Sequence, residues 1–295
     1  VRLAVRLSGT VALWSTASAA LHTAHINVSS AGAHDTLVVR FGVRAISFNA
    51  SSGFVLNGER LKLYGGCVHH DNGPLGAMAI TRAEERKVIM LKKAGYNAIR
   101  TSHNPVSPAL LDACDTHGML VMAEAFDYWR YGKNADDYHL EFDDWWQRDL
   151  EALVLRDRNH PSVIMWSIGN EIPMRFSAAG VDLARQMKTL IESLDSASER
   201  AVTSAYPLIN EQDSPFLHTL DVAGYNYAGP GIYDEDHARL PNRTFVGTES
   251  FAQASFTMWS QVWRMPSVIG DFIWTAIDYL GDDYVGSEDG DVDYL

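Results

Sequence analysis

The sequence has few cysteines, more acidic than basic residues and no long apolar run. The two cysteines among 295 residues, Cys67 and Cys114, support neither a disulfide framework nor a structural zinc site, and we expect both to be buried. Lys and Arg number 24 against 37 Asp and Glu, a net charge of -13. We expect no nucleic-acid partner, because phosphate binding depends on clustered positive side chains. No apolar run reaches the roughly 20 residues of a membrane-spanning helix, so we expect no membrane partner.

Size and composition favour a folded protein with one large domain. A hydrophobic fraction of 46% with 21% charged residues is typical of globular proteins. A chain of 295 residues can hold one α/β barrel, which takes about 250 residues, together with part of another domain.

Residues 1–56 show a β pattern. Apolar and polar residues alternate over 35–44, and 45–48 and 53–56 are short candidate strands before an Asn57-Gly58 turn. Asn-Gly favours a hairpin because both residues tolerate positive φ. Residues 1–20 contain two arginines and a short apolar patch, and we interpret them as the broken end of a preceding domain rather than a signal peptide. We predict that 1–56 is the C-terminal part of a β-sandwich, within a piece of a longer protein.

Residues 57–295 show strands alternating with helices, which predicts a (β/α)8 TIM barrel in the α/β class. The competing architecture is a doubly wound open sheet, but no glycine-rich phosphate loop follows the first strand. Predicted helices cover 82–94, 109–117, 143–156 and 178–193. The eight predicted strands cover residues 61–66, 97–101, 120–123, 163–167, 201–204, 222–225, 244–247 and 269–276.

Polar, titratable and aromatic residues recur where the predicted strands end, which is where barrels of this kind carry their functional groups. Taken singly, Asn170-Glu171 could cap a helix, and Arg100 could belong to a structural ion pair. Their recurrence favours a catalytic site. The rim residues are His69, His70, Asp71, Arg100, His103, Glu124, Asp127, Asn170, Glu171, Asn226, Tyr227, Glu249, Trp274 and Asp278.

Several segments resemble glycoside hydrolase family 2, the family of β-galactosidases, β-glucuronidases and β-mannosidases. Its signature is similar to residues 156–171, which end in Gly169-Asn170-Glu171. Residues 41–44 and 53–58 resemble the passage from the family's immunoglobulin-like sandwich into its barrel, which implies that 1–56 belongs to such a sandwich. Residues 100–105 and 247–250 also match, and the resemblance covers roughly 35–282.

The resemblance implies a role for each matching residue. Glu171 would be the general acid/base and Glu249 the nucleophile, with Tyr227 and Arg100 keeping Glu249 charged. Asn170 would bind the sugar 2-hydroxyl. In a retaining enzyme of this kind the two carboxyl groups lie about 5–5.5 Å apart. The predicted substrate-binding residues are His70, Asp71, His103, Asn170, Asn226 and Trp274, the last as an aromatic platform.

The resemblance also bears on metal and cofactor. The metal-dependent β-galactosidases of the family place magnesium ligands where this chain has Tyr128 and Arg130, and neither side chain suits a hard cation. We predict no metal and no cofactor. The family usually has Asp before the glutamate of the third strand; Ala123 stands here, which puts a local hydrogen bond in doubt.

The identity of the sugar is open. Glucuronidases of the family hold the uronate with an Asn-x-Lys motif beyond strand eight, whereas residues 278–293 are acidic and contain no lysine. A solvated acidic tail is an equally good interpretation of that segment. The 69–76 turn resembles that of family members assigned mostly as β-galactosidases, so we expect a terminal neutral β-linked sugar, β-galactoside first.

The alternatives are a β-glucuronidase, a β-mannosidase, an arabinosidase or an inactive carbohydrate-binding fragment. We expect the isolated chain to turn over poorly compared with its parent. Homo-oligomerisation and the compartment (periplasmic, secreted or cytoplasmic) stay open.

Overall fold

A computed structural model describes residues 8–196, 199–207 and 214–277. The N-terminal region forms two small antiparallel sheets. The hairpin consists of β1 (His22–Ser30) and β2 (Ala33–Phe41), and the second sheet of β3 (Ile46–Asn49), β4 (Gly53–Leu56) and β5 (Glu59–Leu61).

The predicted turn at Asn57-Gly58 is confirmed. It joins β4 to β5 with φ values of 54° and 86°, the positive values that a two-residue hairpin turn requires. The sheet β3–β5 therefore crosses the domain boundary predicted between residues 56 and 57. The assignment of 1–56 to an immunoglobulin-like sandwich stays a prediction.

Eight parallel strands close into a barrel in sequence order, which confirms the (β/α)8 architecture over the open sheet. Each predicted strand overlaps an observed one. The fourth and seventh barrel strands run further than predicted, so that Asn170 and Glu249 belong to the strands themselves. The barrel strands are β6 (Leu63–Val68), β7 (Ala98–Thr101), β8 (Leu120–Glu124), β9 (Val163–Asn170), β10 (Ala201–Pro207), β11 (Val222–Asn226), β12 (Thr244–Phe251) and β13 (Val268–Trp274).

The four predicted helices are confirmed within a residue or two as α1 (Thr81–Lys93), α2 (Pro108–His117), α3 (Phe142–Asp157) and α4 (Ala178–Leu194). Two further helices were not predicted from the sequence: α5 (Ile232–Arg239), which is short and rich in charge, and α6 (Ser255–Arg264). Two aromatic side chains of α6, Phe256 and Trp263, are exposed.

Two apolar clusters fix the barrel. One lies between the strands and the helices; the other fills the barrel interior and includes Ile46 and Phe54 of the sheet β3–β5 and Trp14. Burying a side chain of that size contributes roughly 1.5–3 kcal/mol. The sheet β3–β5 thus packs at the end of the barrel where the strands begin, and the opposite end is open for a site.

Both cysteines are buried and free of disulfide bonds, as expected. Within the described part of the chain, no helix has the length and apolar character needed to cross a membrane.

Candidate active site

Arg100, on β7, is fully buried in the barrel wall and joins two glutamates. Its Nη1 donates to Glu249 Oε1 at 2.8 Å, and its Nε and Nη2 donate to the carboxylate of Glu124 at 2.8–3.0 Å. Burial by itself lowers the pKa of Arg100, but the charges of Glu124 and Glu249 outweigh burial and raise it. The guanidinium is therefore a permanent positive charge beside Glu249.

Glu124 ends β8 and has no solvent exposure. Besides Arg100, it accepts hydrogen bonds from His103 Nδ1 at 2.7 Å and Ser167 Oγ at 2.6 Å. Burial raises the pKa of Glu124, but Arg100 and His103 lower it on balance. Glu124 thus orients the arginine and the histidine from below. The sequence predicts its place on the rim but not this role.

Glu249 lies on β12 with 4% of its surface exposed. The pairing of β12 shifts register with β11 next to Asn226 and with β13 between Gly247 and Ser250, so the strand is irregular where it carries this carboxylate. Thr248 Oγ1 donates to Asn226 Oδ1 at 2.6 Å, which ties the two strands together. Irregularities of this kind re-aim a side chain next to an active site.

Tyr227 follows β11 in the left-handed region, with φ 54°. Its amide donates to the carbonyl of Glu249 at 2.7 Å, and its ring stacks on Phe251 with centroids 4.5 Å apart. Burial and then the charge of Glu249 raise the pKa of Tyr227, so the phenol stays protonated and available as a donor. The structure places this side chain next to the predicted nucleophile.

Glu171 directly follows β9 and has φ 48°. Asn226 Nδ2 donates to Glu171 Oε1 at 3.1 Å and to Asn170 Oδ1 at 3.0 Å. Asn170 Oδ1 also accepts from Arg100 Nη2 at 3.0 Å. One chain of hydrogen bonds therefore runs from Glu171 through the two asparagines to the arginine that holds Glu249.

The alternative in which Asn170-Glu171 caps a helix is wrong. The first helix beyond β9 is a short 3-10 turn at Pro173–Phe176 without a side-chain cap. The cap of α4 is Ser177, whose side chain accepts from the amide of Gly180.

His103 and Trp274 form the aromatic wall of the site. Their rings stack with centroids 5.1 Å apart and 8° between planes. His103 Nδ1 lies 2.7 Å from Glu124 Oε1, and its Nε2 lies 3.4 Å from Asn170 Nδ2. The predicted sugar-binding residues His103, Trp274 and Asn170 thus lie next to one another.

His70 and Asp71 lie half-buried on the loop after β6. Asp71 Oδ1 accepts from the amide of Gly73 at 3.0 Å. The preceding residue, His69, has its ring edge-on to Trp274 at 5.1 Å between centroids. The aromatic wall therefore includes His69, and a direct sugar contact by His70 or Asp71 stays a prediction.

The loop after β8 borders the site through Asp127. Asp127 Oδ1 accepts from Asn170 Nδ2 at 3.1 Å and from Lys133 Nζ at 2.8 Å, and Lys133 lies over the ring of Tyr128. A cavity of about 410 Å³ lies between this loop, His103 and α3. The sequence predicts that Asp127 lies on the rim but not which contacts it makes.

Tyr128 and Arg130, which stand at the positions of magnesium ligands in metal-dependent family members, make other contacts. Tyr128 contacts Lys133, and Arg130 pairs with Asp143. Among the described residues, one group has ligand atoms close enough for a metal, namely Asp112, Asp115 and His160. These residues lie near the starts of β8 and β9, at the other end of the barrel. Asp115 there accepts from His160 Nδ1 and from the amide of Ser162, so the group has a structural use.

Ala123 packs in the apolar layer between strands and helices. The remaining rim residue, Asp278, lies outside the described residues, as does the acidic segment 278–293.

The fold and site define a barrel with three glutamates and an arginine near the carboxyl ends of its strands. The family model "Glycosyl hydrolases family 2, TIM barrel domain" matches residues 49–211, more than half of the chain. The chain belongs to glycoside hydrolase family 2.

Several relatives show which proteins this chain is similar to. The β-galactosidase BoGH2A of Bacteroides ovatus is 40% identical over 79% of this chain and 30% of its own length. A β-glucuronidase of Paenibacillus borealis is 30% identical over 90% of this chain and 51% of its own length. A solved family 2 structure from Bacteroides cellulosilyticus has TM-score 0.87 and 48% identity, over 92% of this chain and 35% of that one. The chain thus spans about a third of the length of several such relatives.

Proposed function

We propose that this chain carries the catalytic centre of a retaining exo-β-glycosidase that hydrolyses terminal neutral β-linked sugars, β-galactosides first. The observation that carries the proposal is the buried ion pair of Arg100 with Glu249, linked through Asn170 and Asn226 to Glu171. A retaining glycosidase needs one carboxylate held ionised as nucleophile and a second carboxyl group within reach as acid and base.

In the first step, a Glu249 oxygen attacks the anomeric carbon while the bond from that carbon to the leaving oxygen breaks. Glu171 gives its proton to the leaving oxygen. Arg100 engages Oε1 of Glu249, which leaves the other oxygen for attack. The product is a glycosyl ester on Glu249 and a free alcohol.

In the second step, Glu171 takes a proton from water as the water oxygen attacks the anomeric carbon. The ester bond to Glu249 breaks, so that Glu249 is again a carboxylate and Glu171 is again protonated. Two displacements at one carbon return the β configuration. Asn170 donates to the sugar 2-hydroxyl in both transition states, where such a bond is expected to strengthen.

A neutral sugar is supported because the cationic side chains described near the site already bind other groups of the protein. Arg100 is occupied by two carboxylates, Lys133 by Asp127, and Arg175 donates to the carbonyl oxygens of Glu171 and Ile172. Recognition of a uronate would need a cation turned toward the sugar. The β-glucuronidase names among the relatives keep that substrate class as the second candidate.

The test is a panel of nitrophenyl β-glycosides with the full-length protein and its Glu249→Gln and Glu171→Gln variants. Glu151→Gln, on an exposed position of α3, serves as a matched control. We expect turnover of the galactoside, loss of at least about 10³-fold in kcat for both site variants, and none for the control. A fluorinated galactosyl inhibitor should label Glu249.

The outcomes separate the alternatives. Preferred turnover of the glucuronide, mannoside or arabinoside moves the proposal to that sugar. No turnover of any β-glycoside, with Glu249→Gln behaving like the unaltered protein, refutes the glycosidase and leaves a carbohydrate-binding barrel. Initial release of the α-sugar, detected by proton NMR, refutes the retaining mechanism.

A further inference from the structure

Helix α1 buries a charged pair outside the catalytic network. Glu84 and Lys87 have 1% and 2% of their surface exposed, and Lys87 Nζ lies 3.4 Å from Glu84 Oε2. A lysine on an outer barrel helix ordinarily extends into water, and removing two charges from water is costly unless hydrogen bonds satisfy them. The partners of this pair therefore indicate what it does.

Lys87 donates to the backbone of the loop after β6. Its Nζ bonds the carbonyl oxygen of Asp71 at 2.5 Å and that of His69 at 3.4 Å. These two contacts bracket His70, so the ammonium holds the backbone on both sides of that histidine. The same loop presents His69 to Trp274 in the aromatic wall.

Glu84 connects this loop to the next one. Its Oε1 accepts from Asn72 Nδ2 and from Ser107 Oγ, both at 3.2 Å. Ser107 caps α2 and closes the segment after β7 that carries His103. One side chain of α1 therefore binds the loops that follow two neighbouring strands.

We propose that Glu84 and Lys87 are positioning residues. They set the affinity for the sugar by fixing the position of the His69–Asp71 loop relative to the segment that carries His103. The inference rests on the proposed function, since it assigns those loops to the sugar site. Lys87 acts through the carbonyl oxygens of His69 and Asp71, and Glu84 neutralises Lys87 while it holds Asn72 and Ser107.

The main variant is Lys87→Met, which keeps the length of the side chain and removes its donors. Lys93→Met, on an exposed position of the same helix, is the matched control. In the full-length protein we expect KM for the preferred nitrophenyl glycoside to rise by ~10-fold while kcat stays within ~3-fold, because the carboxylates and Arg100 are untouched. The control should leave both constants unchanged.

A double variant separates positioning from mutual neutralisation. Glu84→Gln with Lys87→Met removes both charges and keeps an oxygen for Asn72 and Ser107. A pair that served only to neutralise itself would be replaced without loss, since an uncharged pair of similar size is often tolerated. We expect the double variant to keep the raised KM of Lys87→Met; recovery of the original KM would overturn the proposal.

Hydrogen exchange supplies a readout that does not depend on turnover. Lys87→Met should speed exchange at the amides of residues 69–73 and 103–107 by at least about tenfold relative to Lys93→Met, with the amides of β9 and β12 unchanged. Unchanged exchange in the two loops would overturn the proposal even if the protein hydrolysed no glycoside, so the two failures are distinguishable. If Lys87→Met does not fold, Lys87→Gln, which is neutral but can still donate, should show smaller changes in the same direction, and no change would overturn the proposal.

Discussion

Replacing Asp271 by asparagine should remove a strong pH dependence of stability. Asp271, on β13, is 1% exposed; its Oδ1 accepts from Ser250 Oγ at 2.6 Å, and its Oδ2 has no hydrogen-bond partner among the described residues. Gly247 makes room for it, since a Cβ there would come within 2.1 Å of Asp271 Oδ1. Burial raises the pKa of Asp271 from 3.8 to about 6, although the bond from Ser250 opposes the shift.

The sign of the effect follows from the raised pKa. Below pH 3.8 the carboxyl group is protonated in the folded and unfolded states, and its stabilising contribution is complete. Between 3.8 and about 6 the unfolded chain ionises first, so the free energy of unfolding falls as pH rises. A pKa raised from 3.8 to about 6 corresponds to about 3 kcal/mol in the free energy of unfolding. This amount is lost once the pH exceeds the pKa of Asp271 in the folded protein.

The assay is urea denaturation at one-unit steps from about pH 4 to about pH 8. We expect Asp271→Asn to match the unaltered protein near pH 4 and to exceed its free energy of unfolding by up to about 3 kcal/mol near pH 8. In the variant, the side-chain oxygen can still accept from Ser250 Oγ. Asp182→Asn, at an exposed position of α4, is the control. A difference between Asp271→Asn and the unaltered protein that does not change with pH would refute this reasoning.

Three further predictions concern the site. Arg100→Met should lower the free energy of unfolding by about 3–5 kcal/mol, because it leaves Glu124 and Glu249 buried without their cation; a loss below about 1 kcal/mol in urea denaturation would contradict this. Asn226→Ala should lower kcat/KM by roughly tenfold, since it removes donors to Glu171 and Asn170; kinetics equal to the unaltered protein would show that these bonds do not orient the acid. Trp274→Ala should raise KM more than it lowers kcat, because it removes the ring that stacks on His103; a fall in kcat alone, measured on the same glycosides, would exclude a platform role.

The positions of the two glutamates could be predicted because they depend on local sequence. Glu171 and Glu249 follow runs of apolar residues that are typical of buried parallel strands, and parallel strands bring their carboxyl ends to one rim. The partners of these glutamates could not be predicted from local sequence: the family resemblance alone implied that Arg100 contacts Glu249, and its contact with Glu124 was not predicted. Arg100 contacts Glu249 across 149 residues and Glu124 across 24, distances in sequence that no local pattern records.

The choice between neighbours on a loop was also beyond the sequence. His69 and His70 are chemically identical side chains, and only the structure shows that it is His69 whose ring lies against Trp274. Glu84 and Lys87 themselves have the spacing of an ordinary exposed ion pair on a helix. Their burial arises because the loops after β6 and β7 fold over that face of α1.

The sequence by itself determined the succession of strands and helices, the closed barrel and the rim on which the polar residues meet, because hydrophobic periodicity and strand direction are local properties of the chain. Only the tertiary structure decided which of those residues share hydrogen bonds, that Glu124 lies at the centre of the network, and that Asp271 and Lys87 are buried. Those outcomes depend on register shifts and loop packing between segments far apart in sequence, where small displacements decide whether a charge contacts a partner or water.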